Sequence, residues 1–231
     1  MYFPGGGSRR WQLPYRGSIR NYIEGTGAEL WIPLYPLLPD YDLMDETEFT
    51  IRLHEKMLKR FPAENIVWLG ISGGADVLMQ AGRHMVKKYP ELPMPGLMLP
   101  VSVSGLLMSE DAKTRMRGID SRDPILHWDM FETMVKYYNP NGDLPQYILG
   151  KADEDDYTGF PKIIMYFGGD EVFARIAPDY EKSFIRCGVK DYEIKIKEGM
   201  PHAYPMFTFL KEGREGEREI IADINRYFES C

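Results

Sequence analysis

The sequence predicts an α/β protein, with a mostly parallel sheet of about six strands and helices on both faces. Two observations lead to it. Short apolar, β-rich runs alternate with longer helical patterns along the whole chain, the rhythm of repeated βαβ units. Near the centre of that rhythm, Gly70-Ile71-Ser72-Gly73-Gly74 joins an apolar run to a helix-like one. With 231 residues, 44% of them hydrophobic, the chain can bury one substantial core, so a single domain over residues 1–231 is expected.

From the N-terminus, strands are expected at Met1 to Phe3, Glu29 to Tyr35, Asn65 to Leu69, Gly96 to Val103, Lys162 to Phe167 and Tyr192 to Lys197. Helices are expected at Tyr15 to Glu24, Asp45 to Phe61, Ala75 to Lys88, Ala177 to Cys187 and Glu215 to Glu229. Asp45 followed by Glu48 fits a capping box, and Gly188 fits a helix stop. Residues 106–160 break the rhythm, because they are far longer than an ordinary crossover. Met108, Met116, Trp128, Met130, Met134, Tyr137, Tyr138 and Tyr147 make this insertion rich in large adaptable apolar side chains, suited to a partial lid over a pocket.

Lys plus Arg number 28 against 35 for Asp plus Glu, a net charge of −7. That balance argues against nucleic acid and anionic membranes as partners. Cys187 and Cys231 are the only cysteines, which indicates neither a disulfide framework nor a cysteine metal site. No charged n-region or apolar h-region opens the chain, and no apolar run reaches the ~20 residues of a membrane span. The expectation is a cytoplasmic protein with no cofactor and no metal.

A serine flanked by glycines in a strand-to-helix turn is pushed out at the head of the helix, which makes Ser72 a candidate nucleophile. Acyl transfer also needs a base, an acid to orient it, and donors for the oxyanion. His202 follows the last expected strand in a loop, unlike the other three of the four histidines. His54-Glu55 has no second histidine four residues on, which removes a zinc-protease reading. Asp170 and Glu171 end the strand before it, and either could accept the imidazole N–H. The order Ser, acid, His runs along the chain. Pro4-Gly5-Gly6-Gly7 follows the first strand, where the amides of Gly6 and Gly7, with that of Gly73, could hold an oxyanion. Ser8, Arg9 and Arg10 next to it encourage a phosphate cradle instead, but no G-K-[ST] ending follows.

These pieces together resemble the hormone-sensitive-lipase-like family of α/β-hydrolases, which includes microbial carboxylesterases. The family's H-G-G-G loop looks like Pro4 to Gly7, and its R-L-A-P-E segment like Tyr35 to Asp40. Its G-D-S-A-G-G turn is similar to Gly70 through Ala75, and its terminal G-M-x-H-G-F resembles Gly199 to Tyr204. The resemblance implies an α/β-hydrolase fold, with Ser72 as nucleophile, His202 as base and Glu171 at the acid position, acting on small carboxylic esters. Pro4 departs from the family by removing the histidine that braces the loop, and Ile71 and Gly73 depart from it beside the serine.

Family members also carry a further N-terminal stretch that supplies two strands and part of the lid. Without it, the strand Glu29 to Tyr35 is expected to be a sheet edge, blunted by Pro33 and open to homo-oligomer formation. Two other readings compete: a catalytically impaired α/β-hydrolase scaffold that binds a ligand or protein, and an amidase of the same chemistry.

Overall fold

The computed structural model describes residues 1–11, 14 and 16–230. Five strands form one parallel sheet in sequence order: β1 (Tyr2–Phe3), β2 (Val67–Ile71), β3 (Leu97–Val101), β4 (Lys162–Gly168) and β5 (Tyr192–Lys197). The helices are α1 (Arg16–Thr26), α2 (Leu43–Leu58), α3 (Gly73–Lys88), α4 (Glu110–Arg117), α5 (Asp129–Tyr138), α6 (Gln146–Leu149), α7 (Ala177–Arg186) and α8 (Lys211–Ser230). Among the described residues no helix is long and apolar enough to cross a membrane.

The pleat sorts the strand side chains between two cores. Trp68, Met98, Met165 and Phe167 enter the core shared with α2, α3 and α7. Leu69, Ile71, Leu99, Val101 and Tyr166 enter the other, closed by Tyr22 of α1 and by Ile220, Ile224 and Tyr227 of α8. Covering both faces explains why the central strands read as unbroken apolar runs. Each large side chain so buried contributes roughly 1.5–3 kcal/mol.

The expected strand at Glu29 to Tyr35 does not form, and the sheet has five strands rather than six. Among the described residues this segment gives β1 a single backbone bond, from Tyr2 N–H to Trp31 O at 2.8 Å. Continued in the parallel sense, the ladder needs its next N–H from residue 33, and Pro33 has none. The capping box of α2 lies one turn earlier than expected. Asp42 is the N-cap and Asp45 the reciprocal partner, with bonds of 2.9 and 3.0 Å. Tyr15, the expected start of the first helix, and Cys231 lie outside the described residues.

The register aligns the ends of β2 and β3, with Ile71 opposite Val101. The residues that follow, Ser72 and Ser102, lie at the same edge of the sheet. Ser72 N–H donates to Val101 O at 2.8 Å, and Ser102 N–H to Tyr166 O at 2.7 Å. The insertion carrying α4, α5 and α6 is tied down from below by Arg83 of α3. Its Nε donates to Tyr147 O at 2.6 Å and lies 3.3 Å from the buried Asp155 carboxylate.

Candidate active site

β2 ends at Ile71 and α3 begins at Gly73, so Ser72 alone makes the turn, with φ 53° and ψ −126°. Holding a non-glycine residue there costs about 1–3 kcal/mol. The turn is forced by close backbone packing on both sides of it. A Cβ on Gly70 would lie 2.5 Å from Gly74 O, and one on Gly74 would lie 2.2 Å from Phe3 O. The other non-glycine residues with positive φ are Ser8, Ser102 and Ala203 among those described. Ser8 closes the glycine loop, Ser102 follows β3 and Ala203 follows His202, so the strain gathers around one site.

The His202 loop is seated on the end of β4. A Cβ on Gly168 would lie 2.2 Å from Met200 O, so only a bare glycine lets the loop settle there. Asp170 N–H donates to Met200 O at 3.0 Å, and Ala203 N–H to Ser102 Oγ at 2.9 Å. The imidazole, packed edge-on against Phe173 at 5.3 Å, then spans two groups. His202 Nε2 is 2.8 Å from Ser72 Oγ, and His202 Nδ1 is 3.1 Å from Glu171 Oε2. With the proton on Nδ1 donated to the carboxylate, Nε2 is free to accept the serine O–H.

Burial pushes the Glu171 carboxyl above its usual range. The bond to His202 and the nearby Ser102 hydroxyl draw it back down, and Asp123 adds a smaller upward push. Asp170 turns away from the imidazole, with Oδ1 3.7 Å from Arg122 Nη1 and its side chain partly in solvent. Of the two candidate acids, Glu171 is therefore the one in contact with His202.

Gly6, Gly7 and Gly73 line the same cavity as Ser72 and His202. Gly73 opens α3, so its N–H has no acceptor within the helix and lies at the positive end of the helix dipole. Gly6 and Gly7 hold φ of 125° and 58°. Pro4 brings no side-chain brace to this loop, yet three side chains hold it. Tyr35 Oη donates to Pro4 O at 2.7 Å, Tyr138 Oη donates to Gly7 O at 2.5 Å, and Ser8 Oγ donates to Glu46 Oε2 at 2.9 Å. Burial pushes the Glu46 carboxyl well above its usual range, with the Ser8 bond opposing it.

The sequence reading misses Glu46 as a brace, gives Tyr35 no such role, and includes Tyr138 only among the apolar lid residues. It also misses Asp76, whose carboxylate accepts from Ser104 N–H and Ser104 Oγ at 2.8 Å each and from Gly105 N–H at 3.2 Å. That places the start of the insertion beside the nucleophile helix. Asp123 is missed as well. Its oxygens accept from Ile125 N–H and Leu126 N–H on one side and Val172 N–H on the other.

The cavity above Ser72 measures about 870 Å³. Met130, Met134, Tyr137 and Tyr138 of the insertion line it. Met116 and Trp128 belong to the main core instead, Met108 packs against that core, and Tyr147 stacks on His84. His54 is buried against Trp68, with Nε2 2.8 Å from Pro93 O, and His84 sits between Glu48 and Tyr147. Among the described residues no cluster of three His, Cys, Asp or Glu side chains is placed to hold a metal ion.

A strand-turn-helix serine and a buried acid, bridged by a loop histidine after the last strand, match the arrangement of α/β-hydrolases. The sequence matches the family described as alpha/beta hydrolase fold over residues 2–206, and the chain belongs to it. No curated protein matches it in sequence. Many solved structures are similar in fold, and three illustrate them. A hormone-sensitive-lipase homologue from a metagenome library aligns at TM-score 0.81 and 22% identity, over 98% of this chain and 77% of that one. An esterase of the bacterial hormone-sensitive lipase family gives 0.83 and 19%, over 98% and 76%. An esterase/lipase from an uncultured bacterium gives 0.78 and 18%, over 99% and 76%.

Proposed function

We propose that the chain is a serine hydrolase that cleaves small carboxylic esters through an acyl-enzyme. Ser72 Oγ attacks the ester carbonyl carbon while His202 Nε2 takes its proton, and Glu171 stabilises the imidazolium that forms. The carbonyl oxygen gathers negative charge and is met by the amides of Gly6, Gly7 and Gly73. Collapse of the tetrahedral intermediate expels the alcohol, which receives the proton from His202. Water, deprotonated by the same imidazole, then attacks the acyl group and restores Ser72.

The observation that carries this reading is the continuous contact from Ser72 Oγ through His202 to Glu171, at 2.8 and 3.1 Å. Membership of the α/β-hydrolase family and the esterases among its structural relatives support hydrolysis of esters in general. The insertion acts as a partial lid, since its side chains form one wall of the cavity. Hydrolysis of p-nitrophenyl acetate by the protein and by Ser72→Ala tests the mechanism. Turnover that disappears in the variant supports it, and equal rates would discard it.

A further inference from the structure

The hydrolysis proposed above leaves one wall of the cavity unused. Arg9 and Arg10 follow the glycine loop and line the same cavity as Ser72 and His202. The Arg9 guanidinium lies 4.4 Å from the ring centroid of Tyr137, itself a lining residue, so the stack holds that cation in place. Arg10 folds back over the loop. A Cβ on Gly6 would lie 1.8 Å from Arg10 O and 3.2 Å from Arg10 Cγ, so the glycine is what admits this arginine. Among the described residues the Arg10 guanidinium meets no carboxylate.

Among the described residues two carboxylates share the cavity. Asp76 is engaged by Ser104 and Gly105, and Asp129 opens α5. The chain as a whole carries −7, so its long-range field does not favour anions. Attraction of an anion has to be local, and the two arginines that follow the glycine loop and line the cavity are the local means. A planar fork matches a carboxylate, which accepts two parallel N–H bonds from one guanidinium and further bonds from the second at its remaining lone pairs.

We propose that the ester cleaved at Ser72 carries a carboxylate of its own, as in a half-ester of a dicarboxylic acid, and that Arg9 and Arg10 receive that carboxylate. The inference rests on the serine-hydrolase reading and deepens it. Arg9 is pre-positioned by its stack on Tyr137, and little side-chain freedom is lost when the anion arrives. Arg10 lines the same cavity and supplies a second charge. A neutral ester that lacks the carboxylate makes neither contact.

The test compares monomethyl glutarate and monomethyl adipate with methyl butyrate and methyl valerate, followed by NMR at low salt. The ratio of kcat/KM, half-ester over neutral ester, is expected to favour the half-ester about tenfold, the size of one or two charge-assisted bonds in a half-open cleft. It should fall in Arg9→Gln and in Arg10→Gln, approach one in the double variant, and shrink in about 1 M salt. A ratio at or below one in the unaltered protein, or one that persists in the double variant, overturns the inference. If methyl butyrate is cleaved while the half-esters are not preferred, the substrate assignment alone fails. If no ester is cleaved, the hydrolase reading fails first and the assignment with it.

Discussion

The nucleophile turn and the glycine loop pack backbone to backbone beside the same cavity, both in rarely populated conformations, and the loop carries an additional set of restraints. Around Ser72 the restraint is backbone against backbone. Gly70 sits under Gly74, and Gly74 under Phe3, with no room for a single methyl group. Around Gly6 and Gly7 backbone packing is joined by hydrogen bonds from side chains that arrive from elsewhere, Tyr35, Tyr138 and Glu46. A turn wedged by main chain is rigid by construction. A loop tied by hydrogen bonds can be loosened one bond at a time, and the comparison can be broken accordingly.

The largest effect is expected on the chemistry that both regions serve. His202→Ala should lower kcat by about six orders of magnitude, the size seen when the base is removed from such a unit, with the folding transition unchanged in denaturant melts. Next comes the wedged turn. In Gly74→Ala the new methyl group would meet Phe3 O, and roughly 3 kcal/mol of stability should be lost, read as a lower denaturant midpoint. A near-neutral result would mean that this turn yields as easily as the loop packed against it.

The tied loop should respond more gently and in kinetics rather than in folding. Tyr138→Phe keeps the ring but deletes the bond to Gly7 O, so kcat is expected to fall about tenfold, near the upper end of what one hydrogen bond contributes, with KM changed less. Loss of stability with kcat preserved would make Tyr138 a packing residue only.

The smallest effect is on pH dependence. The folded protein binds the Glu46 proton more tightly than an unfolded chain, whose Glu titrates near 4.5. Stability should therefore decline as pH rises above 4.5 and level off beyond the raised value. Glu46→Gln keeps a partner for Ser8 without an ionisable group, so its advantage over the unaltered protein should widen across that window. Thermal melts at several pH values read it directly.

The same contrast explains what the sequence made legible. Gly70 to Gly74, the loop around His202 and Glu171 are contiguous motifs at strand ends, and strand alternation places them at one edge of the sheet. The braces of the glycine loop lie 31, 38 and 131 residues from the groups they bond, and no local spacing announces them. Which of Asp170 and Glu171 meets the imidazole depended on the twist of a turn, fixed in part by the bond from Asp170 N–H to Met200 O. The strand expected at Glu29 to Tyr35 was apolar enough, but one missing N–H at Pro33 kept it from joining the sheet.

The central claim is that Ser72 carries an activated hydroxyl. Treatment of the protein with a fluorophosphonate, followed by peptide mass spectrometry, tests it most directly. A single covalent adduct on Ser72, lost in His202→Ala, is the predicted result. An intact protein that stays unlabelled, or a label on some other residue with Ser72 untouched, would contradict it.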